Sequence, residues 1–207
     1  MEMIMRFNDS SDDVEIITKN ESGNILGKLV NIKECANELV KVCSIDFDNL
    51  EINNLDGNLL YFNRKSKTEN YIIRFPERKI KCTYDSKGYS IIHPNTIFKL
   101  EVDSASKRYQ NIQAYCYKEY KGIKTELYLY PFPNMLGSNS ICTGTISRDA
   151  TDPMIAILNV IEGNYTHSTT ACKKYKKTLD FFKAIKKEFP YEVLEKNGMS
   201  LGALIKK

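Results

Sequence analysis

From Leu59 to Tyr130 the chain is a succession of short alternating segments separated by turn signals, and at Pro131 that pattern stops. Apolar residues spaced by two line one face of a strand, and short connections join strands in antiparallel order. The expected strands are Leu59 to Arg64, Tyr71 to Phe75, Lys79 to Tyr84, Tyr89 to Ile92 and Thr96 to Val102. Asp85-Ser86-Lys87-Gly88 supplies the turn between the third and fourth. Ile112 to Tyr117 and Thr125 to Tyr130 then form a hairpin around Lys121-Gly122.

Helices are expected after the break. Asp152 suits an N-cap, with Pro153 at the first helical position. Met154, Ile157, Leu158 and Ile161 form the apolar stripe, and Gly163 ends the helix. A second helix is expected from Lys173 to Phe189, with Tyr175, Leu179, Phe182, Ile185 and Phe189 inward and Pro190 as its stop. A short helical tail follows.

The N-terminal part reads differently. Val14 to Lys19 and Asn24 to Val30 form two strands around Ser22-Gly23-Asn24. Ile32, Cys35, Ala36, Leu39, Val40 and Cys43 share one helical face. Residues Ser44 to Gly57 are polar and read as a linker. The expectation is an α+β fold, with an N-terminal strand-strand-helix extension (1–57) packed on a core of antiparallel meander and C-terminal helices (58–207) as one compact unit.

Composition limits the function classes. The chain has 207 residues and a formal net charge of +4, a mild excess that gives nucleic acid little support as a partner. No apolar run reaches the length of a membrane span, and Met1 to Asp13 lacks the basic flank and apolar block of a signal peptide. A cytoplasmic protein is expected. There is no Cys-x-x-Cys pair, and the two histidines lie far apart, so no metal is expected. Cys35, Cys43, Cys82 and Cys116 fall on core periods.

Cys142 does not. It lies in Tyr130-Pro131-Phe132-Pro133-Asn134-Met135-Leu136-Gly137-Ser138-Asn139-Ser140-Ile141-Cys142-Thr143-Gly144-Thr145, a stretch of turn formers. An accessible cysteine can act as a nucleophile. Asn134 precedes it by eight residues and follows a proline that stiffens the backbone. A carboxamide near a thiol can donate to the oxyanion of a tetrahedral intermediate, or it can simply hold the loop. Gly144 is expected to allow close approach of the chain after the cysteine.

This segment resembles the active-site signature of the ubiquitin-conjugating enzymes: a Pro-Asn, a short loop with Gly, and an aliphatic residue before the catalytic cysteine. Pro133, Asn134, Ile141 and Cys142 match it in type and spacing. The closer resemblance is to the prokaryotic ubiquitin-conjugating enzyme family D, the bacterial group of the PRTRC system protein B, with Pro-x-Pro-Asn and Ile/Val-Cys-x-Gly. Pro131-Phe132-Pro133-Asn134 and Ile141-Cys142-Thr143-Gly144 fit that form. Phe132 stands where the eukaryotic motif has His, and Gly144 where many eukaryotic enzymes have an acidic residue.

The resemblance implies a thioester carrier. A ThiF-like activating enzyme would deliver a ubiquitin-like modifier to Cys142, with Asn134 catalytic and Pro133, Ile141 and Gly144 positioning the loop. A JAB-type peptidase would act in the same pathway, and the carrier would need no cofactor of its own. Asn164 and His167 are candidates for lining the groove; for His167 a polar surface position is the plainer reading. Two alternatives stay open: a non-catalytic scaffold of the same fold, and a cysteine hydrolase using His93 or His167 as base. His93-Pro94-Asn95 spells the eukaryotic tripeptide, yet position 103 is Asp103, so the tripeptide reads as a turn between strands. Lys173, Lys174, Lys176 and Lys177 read as a solvated helix face.

Overall fold

The structure, a computed structural model, describes residues 2–7, 13–19, 25–31, 51–53 and 57–207. The chain divides into two compact units, Met1–Asp46 and Phe47–Lys207. In the first, β1 (Glu2–Phe7), β2 (Asp13–Lys19) and β3 (Ile25–Asn31) form an antiparallel sheet in the order β1-β2-β3. The expected pairing of the second and third strands is present, with Val14 opposite Val30. β1 falls in a stretch for which the sequence suggests no strand. The expected helix with Cys35 and Cys43 lies outside the described residues.

The second unit is built mainly of antiparallel sheet. Its strands are β4 (Glu51–Asn53), β5 (Leu59–Lys65), β6 (Thr68–Phe75), β7 (Arg78–Tyr84), β8 (Lys87–His93), β9 (Thr96–Asp103), β10 (Tyr109–Cys116), β11 (Glu126–Leu129), β12 (Asn164–Tyr165) and β13 (Lys196–Ser200). Its helices are α1 (Pro153–Ile161), α2 (Thr178–Ala184) and α3 (Leu201–Ile205). The main sheet has the order β13-β11-β10-β9-β6-β5-β4. β4 lies within the segment expected as a linker.

The meander is interrupted. β6 pairs directly with β9, and the β7–β8 hairpin leaves the sheet. It forms a second small sheet in which β12 pairs in parallel with β7, Asn164 opposite Thr83 and Tyr165 opposite Tyr84. The hairpin turns on Asp85 and Ser86, with φ of 50° and 57°. Two residues in the left-handed region match the twist of a tight hairpin. Gly88 therefore sits in the strand rather than at the turn.

Both faces of the main sheet are covered, which the strand period makes possible. From β9, Phe98, Leu100 and Val102 enter one core with Phe75, Phe132, Ile157, Ile161, Phe181 and Phe182. Ile97 faces the other way, with Leu60, Ile72, Tyr115 and Leu127 against Leu201 and Leu204 of α3. Glu69 on β6 is 1% exposed and accepts from Lys107 Nζ at 2.7 and 2.9 Å, from Tyr71 and from Arg64. Burial raises its carboxyl, but the bonds from Lys107, Arg64 and Tyr71 outweigh it and the net shift is downward.

The helices agree with expectation in part. Asp152 caps α1, its carboxylate accepting from Met154 N at 2.8 Å and Ile155 N at 3.2 Å. Gly163 follows α1, but its role is space: a Cβ there would lie 2.8 Å from Asn159 O and 2.9 Å from the Ile146 side chain. α2 is shorter than expected. Residues before it close into a loop, with Thr169 bridged to Lys177 and Thr170 N donating to Lys176 O. The helix therefore starts at Thr178, and its buried face carries Phe181 and Phe182 while Leu179 is 42% exposed. Lys173, Lys174, Lys176 and Lys177 are exposed on that loop and not on a helix face. β13 was not foreseen; the helical tail is α3.

Candidate active site

The loop begins where β11 ends. Tyr130, Pro131, Phe132 and Pro133 are all buried. The Phe132 ring stacks on Tyr130 at 4.8 Å and on His93 at 5.2 Å, and meets Phe181 edge-on at 5.3 Å. That aromatic anchor fixes the position of Pro133 and Asn134.

Asn134 then turns the chain. Its φ is 62°, a conformation that asparagine adopts more readily than most residues. From there the chain runs out and back as a tight hairpin. Leu136 N donates to Ser140 O at 2.8 Å, Met135 bridges Ile141, and Cys142 N donates to Asn134 O at 2.7 Å. A 3-10 turn, Gly137–Asn139, forms the tip. The returning arm lies along β10: Ser140 bridges Gln113, and Ile141 N donates to Ile112 O at 2.9 Å. Asn197 of β13 donates to Asn139 Oδ1 at 3.3 Å.

Ile141 is buried, so it pins the residue before Cys142 to the core. Cys142 itself is half-buried, whereas Cys82, Cys116 and Cys172 are buried. Burial pushes the Cys82 thiol up to about 12, with Glu162 adding to the effect, and burial likewise raises Cys116. Neither is a nucleophile at neutral pH, because the thiolate is the reactive form. Gly144 has φ of 52°, and a Cβ there would meet nothing within 4 Å. It serves the turn after Cys142 and not the expected close approach of the chain.

The Asn134 carboxamide faces the segment after α1. Its Oδ1 accepts from Thr166 N at 3.2 Å and His167 N at 3.0 Å, and its Nδ2 donates to Asn164 O at 3.5 Å. The structure thus brings Asn134, Asn164, His167 and the Cys142 backbone into one hydrogen-bonded cluster. Asn164 and His167 enter it through their backbones. The Asn164 side chain accepts from Thr83 Oγ1 at 3.2 Å, and the His167 side chain is exposed. The geometry of Asn134 is that of a brace.

His93 occupies a different environment. It is 0% exposed, inside the aromatic cluster of Phe75, Phe98, Tyr130 and Phe132. Its Nδ1 lies 3.0 Å from Pro94 O, and a carbonyl only accepts, so the proton sits on Nδ1. Nε2 then accepts from Tyr130 O–H at 2.8 Å. Burial lowers this imidazole to about 3, with Pro94 opposing and Arg78 adding to the shift. Both ring nitrogens are engaged in the core, so His93 is not placed to act as a base. Pro94 and Asn95 form the turn between β8 and β9, as the sequence suggested.

Among the described residues no group of three or more His, Cys, Asp or Glu is placed to hold a metal ion, and no helix is long and apolar enough to cross a membrane. Sequence reasoning missed Thr166, Asn139 and Asn197 as parts of this loop's support. Their signal is tertiary, since each acts on a segment distant in the chain. No protein-family model, curated protein or solved structure matches the chain.

Proposed function

We propose that the chain is a ubiquitin-conjugating-like carrier of the prokaryotic family D kind, loading a ubiquitin-like modifier on Cys142. One observation carries this reading. Among the described cysteines Cys142 alone is not buried, and its amide is held by the carbonyl of the asparagine eight residues before it. A cysteine at a partly exposed position, with its amide hydrogen-bonded in the loop, can be reached by a partner while its backbone is held in place.

In this reading the Cys142 thiolate attacks the thioester between the modifier and a ThiF-like activating enzyme. A new C–S bond forms, the old one breaks, and the activating enzyme's thiolate leaves. An acceptor amine then attacks the carbonyl. The Cys142 thiolate departs, an amide forms, and the amine's proton passes to solvent. ATP is consumed upstream by the activating enzyme. A JAB-type peptidase belongs to the same pathway, and the pathway is cytoplasmic. Asn134 acts as a positioning residue, holding the loop through Thr166 and His167.

A second reading, a non-catalytic scaffold of the same fold, is favoured by the Asn134 carboxamide being turned to residues 164–167, with Nδ2 directed to Asn164 O and Oδ1 accepting from Thr166 and His167 N–H. The two readings separate on one experiment. The protein is incubated with a ubiquitin-like protein, a ThiF-like enzyme and ATP-Mg, and run on a non-reducing gel. The carrier gives a reductant-labile band at the summed mass. A scaffold gives no covalent band while the activating enzyme itself is loaded.

A further inference from the structure

We infer that Thr178, the first residue of α2, is a positioning residue for the Cys142 loop. Thr178 is 0% exposed, yet its hydroxyl does not cap its own helix. It donates to His167 O at 2.7 Å, and its backbone N–H donates to Ser168 O at 2.9 Å. His167 is thereby held on both sides of its Cα: its carbonyl by Thr178, its N–H by Asn134 Oδ1 at 3.0 Å. Asn134 O in turn holds the Cys142 amide at 2.7 Å. Thr178, His167, Asn134 and Cys142 form one unbroken chain of hydrogen bonds from the start of α2 to the nucleophile.

A buried hydroxyl commits its single donor, so the choice of acceptor has consequences. With the hydroxyl removed, the His167 carbonyl loses a partner and the 166–167 backbone is free to shift. The acceptor geometry of Asn134 Oδ1 then degrades, and with it the turn that presents Cys142. The effect on chemistry rests on the carrier reading above; the effect on the loop does not.

The test replaces Thr178→Val, which keeps shape and removes the hydroxyl, and Thr178→Ser, which restores it. Amide hydrogen exchange is followed at Cys142 and across the β6–β9 ladder, using the full chain. In Thr178→Val the Cys142 amide exchanges faster by about fivefold, the ratio carried by one neutral hydrogen bond. The β6–β9 amides keep their wild-type rates, and Thr178→Ser restores Cys142. In the loading assay, discharge from Cys142 slows while the KM for the charged activating enzyme is unchanged. If Thr178→Val does not fold, Thr178→Ala is read in the same way. Wild-type exchange at Cys142 in a folded hydroxyl-free variant overturns the proposal, as does a Thr178→Ser variant that behaves like valine. Absence of any thioester in the wild type counts against the carrier reading alone, because the exchange result stands without it.

Discussion

The Cys142 amide donates to the Asn134 carbonyl at 2.7 Å, so the two residues of the candidate motif are joined through the backbone. The Asn134 side chain points to a different segment, residues 164–167. The spacing of eight residues is what closes this hairpin around its 3-10 tip.

That division of labour ranks the Asn134 variants. Asn134→Asp keeps an acceptor for Thr166 and His167 but replaces the donor to Asn164 O with a charged acceptor. Asn134→Ala leaves two N–H groups without a partner and places a Cβ-bearing residue without a polar side chain at φ 62°. Urea denaturation will give the stability order wild type, Asp, Ala, with Ala lower than wild type by about 2 kcal/mol. An alanine variant as stable as wild type would show that the brace contributes nothing.

His93 makes the fold sensitive to mild acid. Its folded value near 3 lies below the ordinary 6.5, so between those limits the unfolded chain binds the extra proton. Stability is therefore full above pH 6.5 and falls as pH drops below it, by at most about 1.4 kcal/mol per unit. The carboxyl of Glu69 is also lowered on folding, and its contribution adds in the same direction nearer the ordinary carboxylate range, so the comparison with His93→Gln and not the raw slope isolates the histidine. The slope of unfolding free energy between about pH 6.5 and 4.5 will be smaller in His93→Gln. Adduct formation at neutral pH will persist in the folded variant; a specific loss would return His93 to the chemistry.

Gly163→Ala, just past the end of α1, will destabilise the protein. The added methyl would meet Asn159 O at 2.8 Å and Ile146 Cδ1 at 2.9 Å, and backbone cannot yield cheaply. Overpacking of this kind costs about 1–3 kcal/mol. Thermal unfolding checks it, and an unchanged midpoint would mean that the α1 end relaxes freely.

The strands from Leu59 to Tyr130 were legible because side chains alternate between the two faces of a sheet, a period of two visible in Phe98, Leu100 and Val102 on one face. Cys142 was legible for the opposite reason, lying off every apolar period. What escaped the sequence depends on contacts between distant segments. The β7–β8 hairpin looks like any other pair of strands, and its partners lie far along the chain: β12, about eighty residues later, pairs with β7, and Phe182 packs on Tyr84 and Tyr89. β13, Lys-Asn-Gly-Met-Ser, has little strand character and exists by pairing with β11. The start of α2 is displaced by the loop that closes Thr170 on Lys176. Asn134 reads as donor or brace from the sequence because its partners at 164, 166 and 167 lie about thirty residues away.

The central claim is that Cys142 carries the modifier. Its most direct measurement is peptide mass mapping of the loaded protein, for wild type and for Cys142→Ser, formed with a ubiquitin-like protein, a ThiF-like enzyme and ATP-Mg. The account predicts the modifier's C-terminal residues on the Cys142 peptide of the wild type, lost on adding thiol reductant. In Cys142→Ser the label is either absent or held as a reductant-resistant ester at the same position. A reductant-labile adduct on another cysteine that is unchanged in Cys142→Ser would contradict it.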